Sequence, residues 1–112
     1  MSDEDAAEIW EAIVERMLAA DERIELKRAF SSPGLRFDDK IFAMDVKGEL
    51  VVKLAAGRCE ELASDGRARP FEIGPRVMRE WSVIGPERAF EWDALADEAL
   101  AYARSASATR RP

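Results

Sequence analysis

The chain contains no histidine and a single cysteine, Cys59, in 112 residues. Without imidazole it lacks the usual general base near neutral pH, the Ser-His and Cys-His nucleophile pairs, and the commonest metal ligand. One cysteine and no histidine cannot supply the nitrogen and sulfur donors of a zinc site. As a nucleophile Cys59 would need a lowered pKa. Glu60 and Glu61 push the thiol up while Arg58 pulls it down, and its spacing with Leu62 and Ala63 places it on an apolar helix side, as a small core residue. The paired carboxylates do not converge either. Adjacent helical residues such as Glu60 and Glu61 point about 100° apart, and Asp38-Asp39 has the composition of a turn. No EF-hand-like run of Asp and Gly appears, and Gly66, Gly74 and Gly85 match neither a P-loop nor a dinucleotide fingerprint. No cofactor or metal is expected, and catalysis is not the predicted role.

Binding chemistry is a better fit than reaction chemistry. Three tryptophans are present. Trp10 and Trp92 lie on apolar helix faces and are expected in the core. Trp81 stands in an alternating strand set beside Arg79, with Lys53 and Arg28 expected in the same sheet, so a cation–aromatic patch is a candidate binding feature. The competing reading has Trp81 anchoring the core while Arg79 extends to the edge.

The elements that would position these groups follow from periodicity. Residues 3–20 form an amphipathic helix, with Ala6, Ile9, Trp10, Ile13, Val14, Met17 and Leu18 on one face and Ser2 or Asp3 as cap. A first strand is expected over residues 23–30, followed by a Ser31-Ser32-Pro33-Gly34 turn. Short β-type runs at 35–37, 41–46 and 50–54, separated by tight polar turns, predict an antiparallel meander. For the last turn a three-residue loop pairing Val46 with Leu50 is preferred, because it aligns Phe42, Met44 and Val46 with Leu50, Val52 and Leu54. The reverse face would then be mixed and half exposed. A second helix is read at 55–65, a loop at 67–75, a fifth strand at 76–84 and a third helix at 91–106. The fold class is therefore α+β: an antiparallel meander sheet with flanking helices, as one domain over residues 1–104 and a flexible tail at 105–112.

Hydrophobic residues make up 47 % and charged residues 36 %, with a net charge of −6, as befits a folded globular domain. The charge is unevenly placed. Residues 1–25 carry two Arg against nine acids (−7), and residues 26–84 carry eleven Lys or Arg against nine acids (+2). A nucleic-acid binder normally shows a dense basic stripe. The thin basic set here (Arg28, Arg36, Lys53, Arg67, Arg69, Arg76, Arg79) makes nucleic acid an unlikely partner and a weak alternative. The acidic N-terminus lacks the features of a secretion signal, and no apolar run approaches the roughly 20 residues a membrane span needs. A cytoplasmic location and no membrane partner are expected.

Several fragments together resemble the N-terminal domain family of the competence regulator TfoX. They are Arg28-Ala29-Phe30, Pro33-Gly34-Leu35, Lys40-Ile41-Phe42-Ala43-Met44 and Gly48-Glu49-Leu50-Val51-Val52-Lys53-Leu54, then Phe71 with Gly74, and Met78-Arg79-Glu80-Trp81. YjbR-like proteins are similar in overall architecture. The family commonly has Met-Phe-Gly where this chain has Ala29-Phe30-Ser31, and the TfoX regulator carries a second domain beyond the stretch matched here. The resemblance implies a two-layer α+β domain acting as a bacterial protein-interaction or regulatory module, with an unidentified protein partner or a second copy of the chain. The candidate contact surface is Arg28, Ser31, Lys53, Arg76, Arg79 and Trp81.

Overall fold

A computed structural model describes residues 3–29 and 31–110. Ser2 and Phe30, named above as a cap and a strand end, lie outside them, as does the Asp3 side chain. Six antiparallel strands form one sheet in the order β1-β2-β3-β4-β6-β5. The strands are β1 Ile24–Ala29, β2 Ser32–Phe37, β3 Lys40–Val46, β4 Glu49–Lys53, β5 Arg69–Ile73 and β6 Arg76–Ile84. The helices are α1 Asp3–Ala20, α2 Ala56–Ser64 and α3 Trp92–Arg110, with a 3-10 turn at Pro86–Glu91 leading into α3. The α+β meander is thus present. Among the described residues no helix is long and apolar enough to cross a membrane.

Four features differ from the sequence reading. The first is register. Val46 pairs with Glu49, so the β3–β4 loop has two residues, Lys47 (φ 53°) and Gly48 (φ 84°). Positive φ at both positions is what a tight type I′ hairpin requires. The Asp45 carboxylate accepts a bond from the Gly48 amide at 3.1 Å. The three-residue loop is therefore wrong, and its premise fails with it: the apolar sets on β3 and β4 do not share a face. Met44 pairs with Val51, on the face opposite Val52, which pairs with Ala43. A bulge at Phe42, where Leu35 pairs with Ala43 but Arg36 pairs with Ile41, turns Phe42 to the same side as Ala43. Both faces of the central strands are consequently buried, rather than one being half exposed.

The second difference is β5. Residues 67–75 contain a strand, not only a loop. It pairs with β6 through a Gly74-Pro75 turn and forms the sheet edge. The third is the C-terminus. The helix expected to stop at Ala106 continues to Arg110, with Ser107 buried and its hydroxyl bonded to the Asp38 carboxylate. Pro33 and Gly34, expected in a turn, lie inside β2. Proline is tolerated there because β3 pairing starts only at Gly34. A Cβ on Gly34 would sit 3.3 Å from the Lys27 carbonyl oxygen and 3.4 Å from Met44, so close strand packing favours glycine.

The main core lies between the sheet and the helices. Trp10, Ile13 and Met17 of α1 and Trp92, Leu95, Ala96 and Ala99 of α3 close over Leu35, Phe37, Phe42, Leu50, Val52 and Ile84. Cys59 and Leu62 bring α2 into the same core. A second cluster occupies the other side of the sheet: Ala29, Met44, Val51 and Val83, with Ile41, Val46, Phe71 and Trp81 packed against it. Every described member is a strand residue, so no helix contributes to this cluster, although Trp81 also borders a cavity lined by Cys59, Glu60 and Ala63 of α2.

Ion pairs tie the helical layer together. Arg16 of α1 bonds Asp93 and Asp97 of α3, and Arg58 of α2 bonds Glu98. Asp21 accepts bonds from the Arg23 amide at 2.9 Å and from the Arg23 and Arg104 guanidinium groups. These bonds, the Arg23 amide foremost, lower its pKa from 3.8 to about 2. A carboxylate with a depressed folded pKa adds stability above its unfolded value and loses it as pH falls towards the folded one. The Asp21 contribution should therefore be complete above about pH 4 and fade between 4 and 2. Urea denaturation of wild type and Asp21→Asn across that range checks this: the gap between them is expected to close as pH approaches 2.

Candidate binding surface

The cations of this chain are sorted by layer. Those on or beside the helices are matched to acids: Arg16, Arg23, Arg58, Arg67, Arg88 and Arg104 all sit in ion pairs. Those of the sheet are mostly not. Arg36, Lys40, Lys47, Lys53, Arg76 and Arg79 have no carboxylate at ion-pair distance among the described residues, whereas Lys27 reaches Glu25 and Arg69 reaches Glu49. The Arg36 Nε is also buried without a hydrogen-bond partner. Exposed cations left unmatched give the sheet side a locally positive potential on a molecule that is negative overall.

Four of the six candidate residues meet. Lys53, Arg76, Arg79 and Trp81 line one open depression of about 280 Å³, together with Met78 and Glu80. The backbone explains why. Lys53 and Trp81 are direct cross-strand partners, and such pairs bring side chains within contact reach. Beyond Trp81 the pairing of β6 breaks. Pro70 opposes Ser82 but Phe71 opposes Met78, leaving Arg79, Glu80 and Trp81 without partners on β5. Glu80 there turns its carbonyl to the amide of Leu54, the residue after β4, at 2.9 Å. This bend swings the β5–β6 hairpin and its arginines around the Lys53–Trp81 pair. Glu80, the only acid in the lining, is engaged by the Tyr102 hydroxyl at 2.8 Å, and that bond raises the Tyr102 pKa.

Trp81 connects the depression to the apolar side of the sheet. It packs on the Met44, Val51 and Val83 cluster and lies 6.5 Å from Phe71, centroid to centroid, at a tilted 56°. It is half-buried, unlike Trp10 and Trp92, which are core residues as expected. The core-anchoring reading of Trp81 therefore holds in part, since it packs on a buried cluster while remaining half-buried, and no cation lies over its ring among the described residues. Lys53 also borders a second cavity, of about 220 Å³, formed with Lys40, Phe42 and the α3 residues Tyr102 and Ala103.

Arg28 and Ser31 are not part of this site. They sit at the β1–β2 hairpin, four strand positions from β6, where the Arg28 guanidinium donates to the Ser31 carbonyl oxygen at 3.0 Å. Arg67 and Arg69 are also withdrawn from the basic set, since Glu91 and Glu49 engage them. The Glu49–Arg69 pair, which closes one end of the helix-free side, had no sequence signal, because the partners are twenty residues apart on strands whose neighbourhood depends on topology.

Cys59 is buried. Its thiol faces the Leu54 carbonyl oxygen at 3.8 Å, and burial raises its pKa above the ordinary value. A raised pKa and a closed environment suit a core residue. Glu61 is bonded to Arg58, and Asp38 and Asp39 take positive φ in the two-residue β2–β3 turn. Among the described residues no three His, Cys, Asp or Glu side chains converge as a metal site. The chain matches no protein-family model and no curated protein.

Proposed function

We propose that this chain is a non-catalytic binding or regulatory module, a bacterial cytoplasmic domain of the TfoX N-terminal or YjbR-like kind, and that it docks an acidic protein segment on the helix-free side of its sheet. The observation that carries this reading is the partition of charge. Arginines of the helical layer from Arg16 to Arg104 are neutralised within the fold, while Lys53, Arg76 and Arg79 surround Trp81 without a carboxylate partner among the described residues. A surface that holds like charges together around a half-buried aromatic is stabilised by an anionic ligand. An acidic segment that also offers apolar side chains would add contact with Trp81 and Phe71.

A protein segment is favoured over a long polyanion. The net charge of −6 repels any approaching anion, and the repulsion grows with the charge that the anion carries, so a short acidic segment reaching the cation cluster is opposed less than a nucleic acid. Titration with a short oligoglutamate peptide tests this, with tryptophan fluorescence as the readout, because Trp81 is the tryptophan that is only half-buried. Saturable binding that weakens with added salt is expected. No binding at low ionic strength would contradict the reading. A single-stranded oligonucleotide binding more tightly than the peptide would replace it with nucleic-acid recognition.

A further inference from the structure

The two edges of the sheet are protected very differently. The β5 edge carries Pro70 and an irregular pairing beside it, both of which discourage another strand from adding. The β1 edge has neither. Its six residues pair regularly with β2, without proline or bulge, and its outer rim faces no other strand among the described residues. Glu25, Leu26, Lys27 and Arg28 are exposed in sequence, with Leu26 at 44 %. Leu26 pairs with the fully buried Leu35, so it lies on the helix-covered side of the sheet, yet the helices do not reach over it. An open strand edge with a central exposed leucine is an adhesive surface unless something pairs with it.

The sequence around Leu26 is self-complementary. In an antiparallel pair related by a twofold axis perpendicular to the sheet, strand partners share a face, and a dyad through Leu26 sets Glu25 opposite Lys27 of the second copy and Lys27 opposite its Glu25. Leu26 then meets Leu26. Two opposite-charge pairs flank one apolar pair, and all three are favourable cross-strand combinations. Within a single chain Lys27 and Glu25 reach each other only at 3.8 Å, with both side chains about half exposed, so little is lost by exchanging partners.

The geometry points to a homodimer formed by antiparallel pairing of β1 with β1 of a second copy, centred on Leu26, joining two six-stranded sheets into one. This interface is independent of the docking surface on β4 and β6, three and four strand positions away. The pairing zone is only about five residues per chain, so the dimer is expected in the micromolar range rather than as an obligate assembly.

Charge exchange tests it. Sedimentation equilibrium of the full chain should show a monomer–dimer equilibrium. Glu25→Lys alone places lysine opposite lysine, and Lys27→Glu alone places glutamate opposite glutamate; each should weaken self-association at least tenfold. All these side chains are exposed, so folding is retained, and circular dichroism checks it. Mixing the two single variants should restore a dimer, now a heterodimer, because each lysine of one chain then faces a glutamate of the other. Leu26→Asp should abolish dimers in every combination. A wild-type monomer at several hundred micromolar, a dimer indifferent to these substitutions, or a mixture that stays monomeric would each overturn the proposal.

Discussion

Trp92→Ala is expected to destabilise the domain by about 3–5 kcal/mol, the largest single-residue effect on the fold. Trp92 is 1 % exposed and is the bulkiest of the fully buried side chains. It opens α3 directly after the 3-10 turn, and its indole N–H donates to the Gly85 carbonyl oxygen at 3.3 Å. Truncation leaves a large cavity between α3 and the sheet and orphans a buried acceptor at the point where the chain leaves β6. Domains of this size have about 5–15 kcal/mol in total, so the loss should lower the urea midpoint by about 2 M. Trp92→Phe keeps most of the packing and loses the hydrogen bond, so it should fall well short of the alanine effect. An alanine variant within about 1 kcal/mol of wild type would mean that α3 does not close the core as described.

The second large effect concerns binding. Lys53→Glu combined with Arg79→Glu should reduce affinity for an acidic peptide about 100-fold, roughly 2.7 kcal/mol, while leaving the urea midpoint near wild type. The split follows from where the two side chains lie. Both line the depression around Trp81, and neither has a carboxylate partner among the described residues whose loss would cost stability. Reversal leaves an acidic cluster with Glu80 and turns attraction into repulsion. The matched control, Arg16→Glu combined with Arg104→Glu, makes the same change in net charge and breaks ion pairs of the helical layer. It should lower stability modestly, as exposed pairs do, and leave peptide affinity unchanged. Equal losses of affinity in both variants would show that net charge alone, not the placed cluster, governs binding.

Much of the architecture was legible because it rests on local signals. The Ala6 to Met17 stripe specified α1, and short alternating runs between polar turns specified the meander. What was not legible depended on long-range partners. The β3–β4 register was misread because Phe42 was counted with Met44 and Val46; a bulge, set by how β2 meets β3, moves Phe42 to the other face. Lys47 in a left-handed conformation gives little sequence warning, since asparagine is the usual residue there. The β5 strand was missed because Pro70 and exposed alternation suggest a loop, and the strand exists only through pairing with β6. The helical end of α3 depends on Ser107 finding Asp38, sixty-nine residues away. For the candidate surface, alternation in β6 correctly grouped Arg79 with Trp81, and cross-strand pairing added Lys53. Arg28 and Ser31 fell away because strand order, which sequence does not reveal, places β1 and β6 apart.

The central claim is that the sheet side without helices receives an acidic partner. Amide and indole NMR spectra recorded during titration with oligoglutamate test it residue by residue. Shifts centred on Lys53, Arg76, Arg79 and the Trp81 indole, with α1 and the first two turns of α3 silent, are the expected result. Perturbations centred on the helices, or none at all at low salt, would contradict it.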